Sequence, residues 1–304
     1  MAKELFIDKR FTAETMERIE QANAIIEEYA RQGYSLTLRQ LYYQFVARGL
    51  LKNEQREYKR LGETVNAGRL AGLIDWNAIE DRTHNLSRPS AWNSPADIIE
   101  AAAQSYAIDM WKEQDWYVEV WVEKEALMGV IQRACQRYRL PYFACRGYTS
   151  QSEQYAAGKR FANKLASGKR VRVIHLGDHD PSGLDMTRDN DARLEMFTRG
   201  EPGLDIRRVA LNMDQVERYN PPPNPAKMTD SRADDYVLMH GESSWELDAL
   251  DPAVIADLIN DAAEEVLDMD QWRKDQKVQE HGRRILTKIS ARWEDVQAML
   301  EDKP

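Results

Sequence analysis

Val171-Arg172-Val173-Ile174-His175-Leu176-Gly177-Asp178-His179-Asp180-Pro181-Ser182-Gly183 is the stretch on which the reading of the fold turns. Its apolar, β-branched first half predicts a buried strand, and the Pro and Gly turn the chain at the strand's end. Alternation along an extended segment puts Asp178 and Asp180 on one side, so both carboxylates can face one point. Two converging carboxylates repel unless a cation sits between them. Hard oxygen donors of this kind suit Mg²⁺ or Mn²⁺. An Asp-x-Asp pair also occurs in ordinary solvated turns, so the pair is read together with its surroundings.

Working upstream, Tyr117-Val118-Glu119-Val120-Trp121-Val122 is a second strand-like run, ending in Glu123-Lys124-Glu125. A helix is expected from about Ala126 to Tyr138, then a short strand at Tyr142-Phe143-Ala144-Cys145 and a loop, Arg146-Gly147-Tyr148-Thr149-Ser150. A further helix runs to Gly168, a natural C-cap, and another follows Gly183. Alternating strands and helices predict an α/β fold with a parallel sheet. Ligands bind such sheets at the carboxyl ends of the strands. Glu123 and the Asp178/Asp180 pair both fall at carboxyl ends, so the fold brings three acids together from distant positions.

Glu at one strand end and Asp-x-Asp at a later one resembles the Toprim domain of topoisomerases, primases and related nucleases. The wording Val122-Glu123-Lys124-Glu125-Ala126, Arg146-Gly147-Tyr148 and Asp178-His179-Asp180-Pro181-Ser182-Gly183 resembles most the A subunit of topoisomerase VI, itself similar to the meiotic double-strand-break transesterase. The resemblance implies that Glu123, Asp178 and Asp180 are the metal-site acids, with Mg²⁺ or Mn²⁺ as cofactor. Glu125 and Asp185 read as solvated helix residues.

The amino-terminal region adds a second line. Thr12 is a plausible N-cap for a helix with Met16, Ile19, Ile26 and Tyr29 on one face, stopping at Gly33. A second helix starts at Thr37, with Gln40 as capping-box partner, and ends near Gly49. Leu38, Leu41, Tyr42 and Phe45 define its buried face, which points Tyr42 to the core and leaves Tyr43 on an exposed flank with Arg39 one turn earlier. A Tyr beside an Arg suits attack on a phosphodiester, because the guanidinium can hold the phosphate that gains charge. A third helix is expected from about Glu54 to Leu73, then a strand and wing at Ile74–Glu80. Three helices and a wing resemble the winged-helix (CAP-like) domain of the same A subunit. Arg39-Gln40-Leu41-Tyr42-Tyr43 matches that family's Arg-x-x-Tyr-Tyr motif, which implies Tyr43 as the nucleophile and Arg39 as its partner. The family also pairs the Tyr of one protomer with the metal site of the other, implying a homodimer.

The 304-residue chain carries a net charge of −9, unevenly spread. From Gly33 to Gly72, seven Lys/Arg face three Glu, a balance of +4, whereas Ala233 to Asp270 holds twelve acids and no Lys or Arg. Double-stranded DNA is therefore expected at the amino-terminal side, with Arg56, Lys59, Arg60 and Arg69 as phosphate contacts. No apolar run approaches a membrane span and Met1-Ala2-Lys3-Glu4-Leu5 starts no signal peptide, so a cytoplasmic, nucleoid-associated location is expected. Cys135 and Cys145 supply neither a disulfide framework nor a zinc quartet.

The expected organisation is a winged helix over 1–88, a linker and connecting helix over 89–114, and a Toprim domain with a helical extension over 115–304. Arg88–Pro95 reads as linker, Ala96–Trp111 as its helix, Asn220–Pro225 as a loop, and Asp251–Asp268 and Val278–Leu300 as the last helices. The Glu246 and Leu250 pattern resembles a stretch near the end of the same A subunit's Toprim region and reads as packing or dimer contact, with a fourth metal ligand as the alternative. There is no Gly-rich nucleotide loop, so ATP-driven strand passage would need a separate ATPase partner. The chain looks like a free-standing, minimal A subunit of the sort found in phages and mobile elements. Two rivals to a Tyr-DNA transesterase stay open: a Toprim nuclease using metal-bound water, and a non-catalytic DNA-binding protein.

Overall fold

The computed structural model describes residues 3–79 and 91–301. Its elements in chain order are α1 (Ala13–Arg31), α2 (Leu38–Ala47), α3 (Gln55–Leu70), α4 (Pro95–Ser105), β1 (Trp116–Val122), α5 (Met128–Tyr138), β2 (Tyr142–Ala144), α6 (Gln151–Ala166), β3 (Arg170–Leu176), α7 (Pro181–Thr198), β4 (Leu204–Ala210) and α8 (Met213–Tyr219). There follow β5 (Asn224–Pro225), α9 (Ala233–His240), β6 (Ser243–Ser244), α10 (Pro252–Glu264), α11 (Met269–Ala291) and α12 (Trp293–Glu301). They gather into two compact units, one from Met1–His84 with Val118–Glu264, the other from Asn85–Tyr117 with Glu265–Pro304. These units cut across the three-part division expected from the sequence, because the amino-terminal helices join the α/β region.

In the first unit a parallel four-stranded sheet runs in the order β2-β1-β3-β4. Val118, Val120, Trp121 and Val122 of β1 and Val171, Val173, Ile174 and Leu176 of β3 are all buried. Near-continuous apolar runs are what a central strand covered on both faces requires. Helices α5 and α10 pack together, as do α6 and α7, and members of both pairs lie on strands. Strand β4 escapes the sequence pattern because Asp205, Arg207 and Arg208 interrupt it. Asp205 is matched by Arg172 of β3, whose Nε donates to its carboxylate at 2.9 Å.

The amino-terminal helices form as their caps dictate. Thr12 accepts from the Thr15 N–H, and Thr37 and Gln40 make a reciprocal capping box. Ile19, Ile25, Tyr29, Leu41, Phe45, Leu61, Val65 and Ile74 build one core with Tyr42, Tyr43 and Ala249. Ala249 belongs to a 3-10 turn, Leu247–Ala249, that packs on α2. The Tyr29 hydroxyl also donates to Asp251 at 2.7 Å. The expected wing strand is reduced to an isolated bridge between Leu36 and Ile79. Its last residue, Glu80, lies outside the described residues, as do Arg88, Pro89 and Ser90 of the expected linker.

In the second unit α4 ends at Ser105, six residues before the expected Trp111, and α11 starts nine residues before the expected Val278. The Asp268 carboxylate caps α11 by accepting the Asp270 and Gln271 N–H groups. The charged run from Arg273 to Lys277 hides that start from an apolar pattern. Pairing advances from Ala96–Ser290 through Tyr106–Arg283 to Gln114–Asp268, so the two segments run antiparallel. Gly282 permits the approach, since a Cβ there would stand 2.5 Å from the Tyr106 ring.

Candidate functional site

The carboxyl ends of β1 and β3 place Glu123 against the Asp178 loop. The Asp178 N–H donates to Glu123 Oε2 at 2.9 Å, and the Glu123 N–H donates to the Leu176 carbonyl at 2.9 Å. Burial pushes the Glu123 carboxyl up, with the Asp180 charge adding to it against the Asp178 N–H and Lys124. Burial, reinforced by the Glu123 charge and opposed by Lys124, pushes Asp178 up to about 7. Asp180 is the N-cap of α7, accepting from the Gly183 N–H at 2.6 Å and the Ser182 hydroxyl at 2.9 Å. Its other oxygen lies 3.7 Å from Lys227 Nζ. The sequence pattern places that helix after Gly183, whereas it begins at Pro181, which makes Asp180 its cap.

A half-buried Arg208 from β4 holds the loop from behind. Its Nη2 donates to the carbonyls of Gly177, Asp178 and Leu211 at 3.1, 2.6 and 3.1 Å, and its Nη1 donates to the Gly183 carbonyl at 2.9 Å. Burial lowers the guanidinium to about 10, while Glu123, Asp178 and Asp180 hold it up. His179 turns away from the acids, as its place between them suggests: Nδ1 lies 2.9 Å from the Tyr236 hydroxyl.

Glu246, expected as a packing or dimer contact, and Asp248, which no sequence expectation covers, complete the cluster as a second acid pair. The backbones of His179 and Trp245 exchange hydrogen bonds at 2.8 and 3.0 Å, and the Leu247 N–H donates to Asp178 Oδ1 at 2.8 Å. This lays Glu246-Leu247-Asp248 beside the Asp178 loop. Lys124 Nζ then meets Asp178 at 2.8 Å, Glu246 at 2.7 Å and Asp248 at 3.4 Å. From the other side Arg39 Nε donates to Asp248 Oδ2 at 2.8 Å, and Nη2 donates to Glu246 and, at 3.3 Å, to the Tyr43 hydroxyl. One chain of contacts thus runs Tyr43–Arg39–Glu246/Asp248–Lys124–Asp178. Burial alone would raise Glu246; Lys124 and then Arg39 overcome it and bring the group to about 2. Asp248 lies deeper, and burial moves its carboxyl up despite the same two cations. The alternation Glu-x-Asp repeats that of Asp178/Asp180 and was the available signal. Lys124 was visible only as the neighbour of Glu123, and nothing in the sequence marks Arg208.

Tyr43 departs from expectation. It is buried, not exposed, and forms part of the helical core. The wheel misassigned it because α2 has two partners: α1 and α3 cover one face, and the Leu247–Ala249 turn covers the flank taken for solvent. Burial first, then Asp248 and Glu246, raise the Tyr43 phenol, while Arg39 and Lys124 work against them. Tyr42 behaves as expected, buried with its hydroxyl donating to backbone carbonyls of Lys52 and Glu54 at 3.1 Å each.

Of the expected phosphate contacts, Arg56, Lys59 and Arg60 are exposed on α3, with Arg60 in an ion pair to Glu57. Arg69 is a correction: its Nη2 donates to the Trp76 and Ile79 carbonyls at 3.0 and 2.7 Å, so it ties down the segment after α3. Glu125 is exposed, as expected. Asp185 is not, since Tyr148, Arg188 and Arg232 close around its carboxylate.

Glu123, Asp178 and Asp180 are hard oxygen donors, and the Asp180 charge opposes ionisation of Glu123 as the Glu123 charge opposes that of Asp178, the chemistry that suits Mg²⁺ or Mn²⁺. Each already has protein partners: Asp178 has Lys124 and the Leu247 N–H, Glu123 the Asp178 N–H, and Asp180 the Gly183 N–H and Ser182 hydroxyl. Among the described residues, no group of three His, Cys, Asp or Glu is in a metal-holding arrangement, and no helix is long and apolar enough to cross a membrane. No family model, curated protein or solved structure matches the chain.

Proposed function

We propose that this protein is a metal-dependent DNA-cleaving transesterase similar to the topoisomerase VI A subunit, with Tyr43 as nucleophile. The observation that carries the reading is the contact chain from the Tyr43 hydroxyl through Arg39, Glu246/Asp248 and Lys124 to Asp178. It links the side chains of the Arg-x-x-Tyr-Tyr motif to the strand-end acids. Glu123, Asp178 and Asp180 would hold Mg²⁺ or Mn²⁺, which when bound supplies charge stabilisation to the transferring phosphoryl group. The α1–α3 region, read as a winged helix, presents Arg56, Lys59 and Arg60 to duplex DNA. A homodimer, cytoplasmic and nucleoid-associated, and a separate ATPase partner belong to the same reading.

In this chemistry the Tyr43 oxygen forms a bond to phosphorus and the bond from phosphorus to the sugar oxygen breaks. The phenol gives up its proton, and the leaving sugar oxygen takes one. One phosphodiester replaces another, so the step is reversible. Arg39 supports the phosphate oxygens as charge builds on them.

A second reading, a Toprim nuclease in which water attacks, is favoured by one observation: Tyr43 is buried beside Asp248 and Glu246, surroundings that raise its phenol and oppose phenolate formation. The test is to incubate the protein with supercoiled DNA and Mn²⁺ and quench with detergent. The transesterase reading expects DNA ends that stay protein-bound, and their loss in Tyr43→Phe. Cutting by Tyr43→Phe at the wild-type rate would give the site to water.

A further inference from the structure

We propose that Asp248, together with Glu246, is a positioning element for Arg39: the pair clamps the guanidinium at the Tyr43 hydroxyl and leaves one face of it for a DNA phosphate. This rests on the reading of Tyr43 and Arg39 as reaction partners.

Arg39 stands at the second residue of α2, and its side chain is 43 % exposed. An arginine so placed would ordinarily keep most of its rotamer freedom. Here that freedom is removed. Asp248, with a fully buried side chain, accepts from Nε at 2.8 Å, and Glu246 accepts from Nη2. Two acceptors fix the plane of the fork, and the same Nη2 reaches Tyr43. Among the described residues Nη1 carries no protein acceptor, so a donor remains for an incoming phosphate oxygen.

The clamp is anchored rather than incidental. Its backbone is held to the Asp178 loop by the His179–Trp245 bridge and the Leu247 N–H, and Lys124 neutralises its far side. A partly buried ion network of this kind is a weak source of stability compared with apolar packing. Its electrostatic effect on the phenol is also adverse, since both carboxylates oppose phenolate formation. What the carboxylates do provide is geometry: they hold Arg39 in one place. Misplacement of about 1 Å at a reacting centre can cost on the order of 100-fold in rate.

The experiment is single-turnover covalent attachment to a duplex oligonucleotide with Mn²⁺, with thermal melting of each variant. Asp248→Ala should react about 100-fold more slowly than wild type. Asp248→Asn keeps an acceptor for Nε and removes a charge facing Tyr43. It should recover most of the rate and shift the rise in rate to lower pH, with Arg39, Lys124 and Glu246 the remaining charges facing the phenol. Adding Asp248→Ala to Arg39→Ala should cost nothing further, because the acid acts through the guanidinium. An additive double variant, or an Asn variant as slow as the Ala variant, would overturn the clamp. If the Ala variant melts below assay temperature, the Asn variant alone and in combination with Arg39→Ala decides. DNA cutting without an adduct would remove the Tyr43 reading alone; the same non-additivity, read on cutting rate, still judges the clamp.

Discussion

At the scale of single residues, the acid loop is shaped by groups that carry no acid. A Cβ on Gly183 would stand 2.2 Å from the Asp178 carbonyl oxygen, so the first turn of α7 can approach the loop only without a side chain. Gly183→Ala should therefore lose about 1–3 kcal/mol in urea unfolding, the usual cost of overpacking against backbone, and bind Mn²⁺ more weakly. Unchanged stability and affinity would show that the loop yields freely. Nearby, His175 is fully buried in β3 with Nδ1 2.8 Å from the Thr187 hydroxyl, and burial, then the Arg208 charge, lowers it to about 3. An unfolded histidine titrates near 6.5, so below that pH the unfolded chain takes a proton that the folded one refuses. The contribution of His175 is complete above pH 6.5 and falls as pH drops toward 3, by up to about 1.4 kcal/mol per unit. His175→Gln should flatten the fall in unfolding free energy between pH 6.5 and 4.5; an identical slope would count against it.

At the scale of elements, α3 divides its basic residues between two tasks. Lys59 and Arg60 face solvent, and reversing both to Glu should weaken duplex binding and lower the log–log salt slope by roughly 0.9 for each lost phosphate contact. Arg69 faces the segment after the helix, so Arg69→Ala should lower the melting temperature and leave the salt slope alone. A salt slope that changes with Arg69 and not with Lys59/Arg60 would reverse this assignment. The same elements show what could be read in advance. Caps at Thr12, Thr37 and Gln40 and the runs of β1 and β3 act locally, so spacing alone located them and aligned Glu123 with Asp178. Tyr43, Glu246 and Asp248 depend on a contact some 200 residues apart in sequence, which a helical wheel cannot see. Strand β4 was lost because its charges are matched only by residues of a neighbouring strand.

At the scale of the whole molecule, the reading expects a two-fold homodimer carrying two sites for a staggered cut. Mixing Tyr43→Phe with Asp178→Ala subunits should leave one working site per heterodimer and yield nicks. An inert mixture would instead assign each Tyr43 to the acids of its own chain, to which Arg39, Glu246 and Lys124 tie it. The most direct measurement of the central claim is where the DNA becomes attached. After reaction with duplex DNA and Mn²⁺, nuclease and trypsin digestion would release the Gln40–Arg48 peptide, bounded by Arg39 and Arg48. Mass spectrometry should find that peptide carrying a nucleotide on Tyr43. Cut DNA accompanied only by the unmodified peptide would contradict the account.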